Sequence, residues 1–156
     1  MILRLDTNVL WPKPLHVLAE AAERGHHRLR IPAIVHAERL FQLRRALGAR
    51  FDARHVTTIF EQYASVLAVE PLDVAGAEHL ARIMGDRHPT EEAWKLAKAR
   101  AVGREDGVAP ATVDLYLAGL ATPEIPFVTN DRGREWKGVP KGAVLSLEAA
   151  LARLAA

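Results

Sequence analysis

Cysteine is absent from this 156-residue chain, which excludes three kinds of chemistry. No disulfide can support the fold, no thiolate can act as a nucleophile, and no thiolate can bind zinc. A metal site would therefore have to use oxygen or imidazole ligands. The histidines show no metal-ligand spacing such as that of a HExxH helix. Oxygen ligands are thus the expected choice.

Long apolar segments are also missing, since no stretch approaches the ~20 residues that a membrane helix needs. The first residues lack the basic stretch and following apolar run of a signal peptide. Hydrophobic residues make up 49% of the chain and charged residues 26%, which is typical of a soluble globular protein. These features predict a single domain over residues 1–156, in the cytoplasm and without a membrane partner.

The charge balance points only weakly to a ligand. The net charge is +2 and the sequence pI is about 9.2, with basic residues clustered in residues 24–30, 39–54 and 132–141. Basic residues beside a set of acids suit a phosphate-bearing polymer. Charge alone, however, favours an ordinary solvated surface.

Short apolar runs alternate with helical patterns along the sequence. Strands are predicted at residues 2–5, 29–32, 66–69, 125–129 and 143–145, and helices at 15–24, 52–63, 75–84, 90–101, 110–121 and 147–154. A further helix begins after Pro32 and ends at Gly48. This alternation predicts an α/β fold, a three-layer α/β/α sandwich with a central parallel sheet of Rossmann-like order. The middle helices are expected to form an additional helical hairpin.

Two carboxylates follow predicted strands. Asp6 comes directly after the first strand, and Asp131 comes shortly after the strand at 125–129. Open α/β sheets bind their ligands at the carboxyl ends of their strands. Taken alone, Asp6 could equally be a helix cap, since aspartate commonly caps helices.

Two further carboxylates interrupt apolar helical faces. Glu38 lies within a wide apolar stripe after Pro32, and we therefore expect it at or near the core-facing side. Asp114 lies in a helix that begins at Pro110 and is apolar nearly all round, as buried helices are. A buried lone carboxylate costs several kcal/mol unless it is paired, hydrogen-bonded or bound to a metal.

All four acids can converge in one pocket if the two strands are neighbours and the two helices pack at their carboxyl ends. Carboxylates brought together repel one another, so a cation is needed to stabilise them in the ionised state. Hard oxygen ligands favour Mg²⁺ or Mn²⁺ over Zn²⁺. A set of carboxylates that holds one or two such metal ions is typical of enzymes that hydrolyse phosphodiesters.

Four stretches of the sequence resemble the motifs of the PIN-domain nucleases. They are Leu5-Asp6-Thr7-Asn8, Glu38 in its apolar helix, Asp114-Leu115-Tyr116-Leu117-Ala118-Gly119-Leu120-Ala121, and Val128-Thr129-Asn130-Asp131. Each motif is weak alone, but the four occur in the family's order and cover nearly the whole chain. The chain length and the short C-terminal strand and helix are similar to those of the VapC-like toxins of toxin–antitoxin pairs. The resemblance implies a PIN-like fold and a Mg²⁺- or Mn²⁺-dependent endoribonuclease acting on RNA, usually a homodimer silenced by a small antitoxin.

The resemblance also implies roles for individual residues. The metal ligands and catalytic acids would be Asp6, Glu38, Asp114 and Asp131, of which the last is more variable in the family and often acts through water. Thr7 or Asn8 would steady the first aspartate. Asn130 and Arg132 would support the site or bind substrate. Tyr116, Gly119 and Trp136 depart from the family's usual residues, which bears on substrate preference more than on chemistry.

Two other functions remain open at this point. An aspartate-nucleophile phosphatase also has an aspartate after its first strand, but it needs a second aspartate two residues on, where this chain has Asn8. The other function is a PIN-like scaffold that binds RNA or protein without catalysis. Trp11, Trp94 and Trp136 are assigned to the core or to a dimer interface, with base stacking by Trp136 as a minor alternative.

Overall fold

The structure, a computed structural model, describes residues 1–52, 54–71, 89–93, 116–130, 136 and 139–156. Its strands are β1 (Ile2–Leu5), β2 (Arg28–Pro32), β3 (Leu67–Glu70), β4 (Phe127–Val128) and β5 (Val144–Leu145). Its α-helices are α1 (Pro12–Arg24), α2 (Ala33–Leu47), α3 (Arg54–Gln62) and α4 (Leu147–Leu154). Short 3₁₀ helices span Thr7–Val9 and Gly48–Arg50, and residues 91–93 and 116–120 are helical.

The five strands form one sheet in the order β3-β2-β1-β4-β5, and every pairing is parallel. In the central strand, Leu3 pairs with Leu29 of β2, and Leu5 pairs with Val128 of β4. Parallel strands require crossover connections, which place helices against the sheet. The predicted α/β fold with a central parallel sheet is confirmed, and each predicted strand overlaps one that is present.

Both faces of the sheet are covered. Leu3 and Leu5 are fully buried in the main hydrophobic core. Arg4 points to the other face, because successive strand residues alternate between faces. There its Nη1 donates to the carbonyl oxygen of Leu120 at 2.6 Å, and its Nε and Nη2 donate to the carboxylate of Glu70 at 2.6 and 2.8 Å. The helical segment 116–120 therefore covers the Arg4 face, which completes the three layers.

The last helix closes the fold as predicted. The hydroxyl of Ser146 accepts from the backbone N–H of Ala149 at 3.1 Å, which caps the N-terminus of α4. Helices α1 and α4 contact each other. Their approach is close at Gly25, where an added Cβ would lie 2.9 Å from the carbonyl oxygen of Leu154. A side chain at this position would push the two helices apart.

The prediction for α2 was wrong in one respect, because only the first part of its apolar stripe, with Ile34 and Val35, packs at the core. The buried residues of this helix are Val35 and Arg39, both in its first half. Phe41 is 57% exposed and Glu38 is also exposed. In the second half of α2, Leu43 lines a pocket together with Ile59 and Phe60 of α3, whereas Phe41 points outward. The start of α1 was also placed too late, since this helix begins at Pro12, a residue suited to a first turn.

Several predicted features lie outside the described residues. The additional helical hairpin lies largely outside the described residues, as do Asp114, Asp131 and Arg132. Within the described part of the chain, no helix combines the length and apolar character that crossing a membrane requires.

Candidate functional site

The candidate site lies at the carboxyl end of β1, beside β4. From β1 the chain adds β2 and β3 on one side of the sheet and later β4 and β5 on the other. The strand order therefore reverses between β1 and β4, which is the place where open α/β sheets bind their ligands. The N–H of Asp6 donates to the carbonyl oxygen of Val128 at 3.0 Å, so this residue extends the pairing of the two strands.

Three donors from the described part of the chain hold the carboxylate of Asp6. Its Oδ1 accepts from the backbone N–H of Thr7 at 2.7 Å, and its Oδ2 accepts from Asn8 Nδ2 at 2.8 Å and Thr129 Oγ1 at 2.6 Å. The first of these bonds caps the 3₁₀ helix Thr7–Val9. Asp6 thus does act as a cap, as the simpler interpretation proposed, but its second oxygen belongs to a separate network. Hydrogen bonds to a carboxylate are stronger than neutral ones, so this side chain is firmly oriented.

Thr7 connects Asp6 to a second carboxylate. The hydroxyl of this buried residue donates to Glu38 Oε2 at 2.5 Å across 31 positions of sequence. Gln42, one turn further along α2, donates from Nε2 to Glu38 Oε1 at 3.3 Å. The backbone of Thr7 therefore binds one acid while its side chain binds the other. Two of the four predicted acids are brought to the same place.

Both acids line one groove. Its volume is about 440 Å³, and its lining residues are Asp6, Thr7, Asn8, Trp11, Glu38, Gln42 and Leu117. Among the described residues of this lining there are two acidic side chains and no basic one. An acidic concavity of this kind favours a cation. The acidic side chains that could bind the cation offer carboxylate oxygens, which are the hard ligands that Mg²⁺ and Mn²⁺ prefer.

The described residues contain only part of the predicted acid set. Within these ranges there is no group of three or more histidine, aspartate or glutamate residues that could hold a metal ion. Asp114 and Asp131 lie outside the described residues. The convergence of all four acids therefore stays a prediction.

Asn8 and Asn130 join the groove to the end of β4. Asn8 Nδ2 donates to Thr129 Oγ1 at 2.8 Å as well as to Asp6, and Asn8 Oδ1 accepts from the backbone N–H of Asn130 at 3.0 Å. The side-chain oxygen of Asn130 accepts from the N–H of Leu147 at 3.5 Å, at the start of α4. Asn8 is thus the bridge between the strand ends, and Asn130 supports the site through its backbone.

Three contributing residues were missed from the sequence. Thr129 donates to Asp6, and Gln42 donates to Glu38. Trp11, which had been assigned to the core or a dimer interface, is 50% exposed and lines the groove, so a core position is wrong. A hydroxyl at the end of a strand next to β1 was a usable signal for Thr129. Trp136 is partly buried and packs against Phe127 with ring centroids 5.4 Å apart, as expected of a core residue.

An apolar pocket adjoins α2 near the groove. It has a volume of about 160 Å³, and Leu10, Leu15, Ile31, His36, Arg39 and Phe60 contribute to its lining. The ring of His36 meets Phe60 edge to face at 5.2 Å. Burial lowers the pKa of His36 below its ordinary value of 6.5, and it also lowers the pKa of Arg39 from its ordinary value. The neutral imidazole is therefore favoured in the folded protein.

Comparison with known proteins supports the fold. No protein-family model matches the sequence, and no curated protein matches it. Among solved structures, the crystal structure of PAE2754 from Pyrobaculum aerophilum is similar, with a TM-score of 0.51 and 20% sequence identity. The similarity covers 99% of this chain and 96% of that one. At this identity it shows the fold alone.

Proposed function

We propose that this protein is a Mg²⁺- or Mn²⁺-dependent endoribonuclease of the PIN-domain type. The observation that carries the proposal is the junction of Asp6 and Glu38 through Thr7 in one groove. The groove lies at the reversal point of the strand order, where ligands of α/β sheets bind. A fold alone does not require two carboxylates there, because like charges held near one another repel.

The four resembling stretches support the proposal by their placement. Each contributes at least one described residue to the groove or to its hydrogen bonds. The first contributes Asp6 and the second Glu38. Leu117 of the third stretch lines the groove, and Thr129 of the fourth donates to Asp6. Four separate parts of the chain that resemble one family's motifs thus meet at one place.

The proposed roles follow from the side chains available. Asp6 and Glu38, together with Asp114 and Asp131, would hold the divalent cation, which supplies polarisation of the phosphodiester and activation of water. Asn8 and Thr129 fix the orientation of the Asp6 carboxylate. Cleavage is expected to leave 5′-phosphate and 3′-hydroxyl ends.

Arg132 comes next to Asp131 in the sequence, and we assign it to the substrate phosphate. Asn130 supports the site from the strand end through its bond to Asn8. Replacement of Arg132 should therefore weaken RNA binding, whereas replacement of Asn130 keeps the backbone bond to Asn8 and removes the acceptor for the N–H of Leu147.

The proposal is tested with total RNA, because this mixture contains every class of cellular RNA that could be cleaved. The wild-type protein and the Asp6→Asn variant are incubated with RNA in Mn²⁺ or in EDTA, and the cleaved ends are mapped by sequencing. Cleavage by the wild-type protein in Mn²⁺ alone, and its loss in Asp6→Asn, are the expected results. Glu61→Gln is the matched control, because this exposed residue of α3 carries the same charge away from the groove. Full Mn²⁺-dependent activity of Asp6→Asn would refute the assignment.

Other outcomes identify the alternatives. RNA binding without cleavage under any metal condition would indicate the scaffold function. A phosphoenzyme formed at Asp6 would indicate an aspartate-nucleophile phosphatase. In that reaction Asn8 occupies the general-acid position, and its amide cannot transfer the required proton.

We further propose a toxin role, a cognate antitoxin and a homodimer, all of which rest on the resemblance to VapC-like toxins. Induced expression of the wild-type protein should arrest bacterial growth, and Asp6→Asn should not. Sedimentation of the purified protein should give twice the mass of one chain. Normal growth during expression of an active ribonuclease would contradict the toxin role without affecting the proposed chemistry.

A further inference from the structure

Trp11 presents an aromatic surface inside the acidic groove. It precedes α1 and lines the groove together with Asp6 and Glu38, yet it is 50% exposed. Tryptophan side chains are highly buried on average in folded proteins. No packing requirement of the core explains this position, since the core of the described residues is formed without Trp11.

Arg39 holds the tryptophan ring from one side. Its Cζ lies 3.7 Å from the centroid of the Trp11 ring. Arg39 itself is only 5% exposed, and among the described residues it has no carboxylate partner. Its one hydrogen bond there is a long one of 3.5 Å from Nη1 to the side-chain oxygen of Gln42. A guanidinium is seldom buried without an acid, so the ring and the cation depend on each other.

The accessible face of Trp11 follows from these two facts. Arg39 covers one face of the ring, and the residue is nevertheless half exposed. Because Trp11 also lines the groove, part of this uncovered surface borders the groove. A planar ring held at a fixed angle beside a cation site is the arrangement on which unpaired nucleobases stack.

We infer that Trp11 is a stacking platform for an unpaired nucleobase of the RNA strand in the groove, and that Arg39 is the positioning residue that fixes its ring. The inference deepens the proposed function and rests on it, because it requires a polynucleotide at the acidic groove. It predicts a preference for single-stranded RNA. A base within a duplex is already stacked on its neighbours and cannot reach the ring.

Binding of a fluorescent base tests the platform without cleavage. The probe is a set of 12-nucleotide single-stranded RNAs of mixed sequence, with 2-aminopurine moved through successive positions. Titrations use the complete wild-type protein in EDTA, so that the RNA stays intact. The wild-type protein should quench 2-aminopurine strongly at one or two adjacent positions. Trp11→Ala should abolish that quenching and weaken binding by about 5- to 150-fold, which is the range for loss of one base–aromatic stack.

Phe41→Ala is the matched control. Phe41 is also exposed, at 57%, and also has a guanidinium near its ring, with Arg45 Cζ at 5.9 Å. It does not line the groove. Its replacement should change neither the quenching nor the affinity by more than about twofold, since surface changes away from a site have small effects.

A double replacement tests the role of Arg39. Arg39→Met should reduce the quenching at the same positions. Adding Arg39→Met to Trp11→Ala should weaken RNA binding no further, because Arg39 is proposed to act only through the Trp11 ring. An additional loss in the double variant would show that Arg39 acts independently of the ring and would overturn its positioning role. Thermal unfolding of each variant identifies any loss of binding that arises from unfolding.

Three results would overturn the platform itself. These are wild-type quenching in Trp11→Ala, absence of RNA binding by the wild-type protein, and conversion of a dimer to a monomer by Trp11→Ala, which would make Trp11 a subunit contact. Cleavage of total RNA in Mn²⁺, measured in parallel, reports on the proposed function separately. A nuclease whose activity and affinity are unchanged in Trp11→Ala would retain the proposed function and lose the platform.

Discussion

Replacement of Asp6 by asparagine should lower the stability of the metal-free protein. Asparagine has the same shape, but one of its two terminal atoms is a donor. If the new amide nitrogen takes the place of Oδ2, it faces two groups that also donate, the amide of Asn8 and the hydroxyl of Thr129. The Thr129 hydroxyl can rotate and accept a hydrogen bond instead, but the Nδ2 group of Asn8 can only donate. If the nitrogen takes the place of Oδ1, it faces the N–H of Thr7 and removes the cap. One donor therefore loses its acceptor in either orientation.

The expected size of this loss follows from the bonds involved. A hydrogen bond to a charged group contributes about 1.5–3 kcal/mol, and an N-cap contributes about 1 kcal/mol. Because Asp6 is partly exposed, water can replace part of the lost interaction. We expect the free energy of unfolding to fall by about 1–3 kcal/mol, which is a decrease of about 2–12 °C in Tm for a chain of this size.

Repulsion between neighbouring carboxylates would act in the opposite direction, so the sign of the change in the free energy of unfolding distinguishes the two effects. If Asp114 and Asp131 also lie beside Asp6, removal of one charge relieves repulsion and stabilises the metal-free protein. Urea unfolding followed by circular dichroism in EDTA at neutral pH measures the difference. Glu61→Gln, which removes the same charge elsewhere, should stay within about 0.5 kcal/mol of the wild-type protein. A metal-free Asp6→Asn protein more stable than the wild type would refute the reasoning from the hydrogen-bond network and favour a crowded acid cage.

The remaining predictions concern the neighbours of the site and the layers that carry it. Thr129→Val should lower stability by about 1–2 kcal/mol and reduce RNA cleavage, whereas Thr129→Ser should retain both, because the hydroxyl donates to the carboxylate and accepts from an amide. Arg4→Met should cost about 2–3 kcal/mol in urea unfolding by leaving Glu70 without its partner, and adding Glu70→Leu should recover part of that loss. Because the pKa of His36 is lowered in the folded protein, the unfolded chain binds more protons, and the free energy of unfolding falls as the pH drops below about 6.5. Between pH 7.5 and pH 5, His36→Gln should lose less stability than the wild-type protein. An equal loss in the two proteins would contradict this role of His36.

The sheet could be predicted from the sequence because its signals are local. Ile2–Leu5 and the run before Thr129 are short apolar segments that end in polar residues, and such segments form buried parallel strands. The place of Asp6 at a strand end followed directly. The capping of α4 by Ser146 was equally local.

The surroundings of the acids could not be predicted in the same way. An apolar stripe predicts a buried helix face only where another layer covers it, and Phe41 in the second half of α2 is 57% exposed. The burial of Arg39 depends on a ring 28 positions earlier in the chain, a distance at which no sequence period applies. Trp11 is exposed for the same reason, since its neighbours are set by tertiary structure. The residues that line the groove, and their exposure, are therefore determined by contacts between segments that are distant in the sequence.

The pairing of β1 with β4 determines when during synthesis the site can form. Asp6 and Thr129 are 123 positions apart, and their hydrogen bond requires both strands to be in the sheet. A ribosome that has released only the first half of the chain has already produced Asp6, Thr7 and Glu38, but the Asp6 carboxylate still lacks the Thr129 donor. Because such distant contacts form late and slowly, the nascent chain passes most of its synthesis without an assembled site.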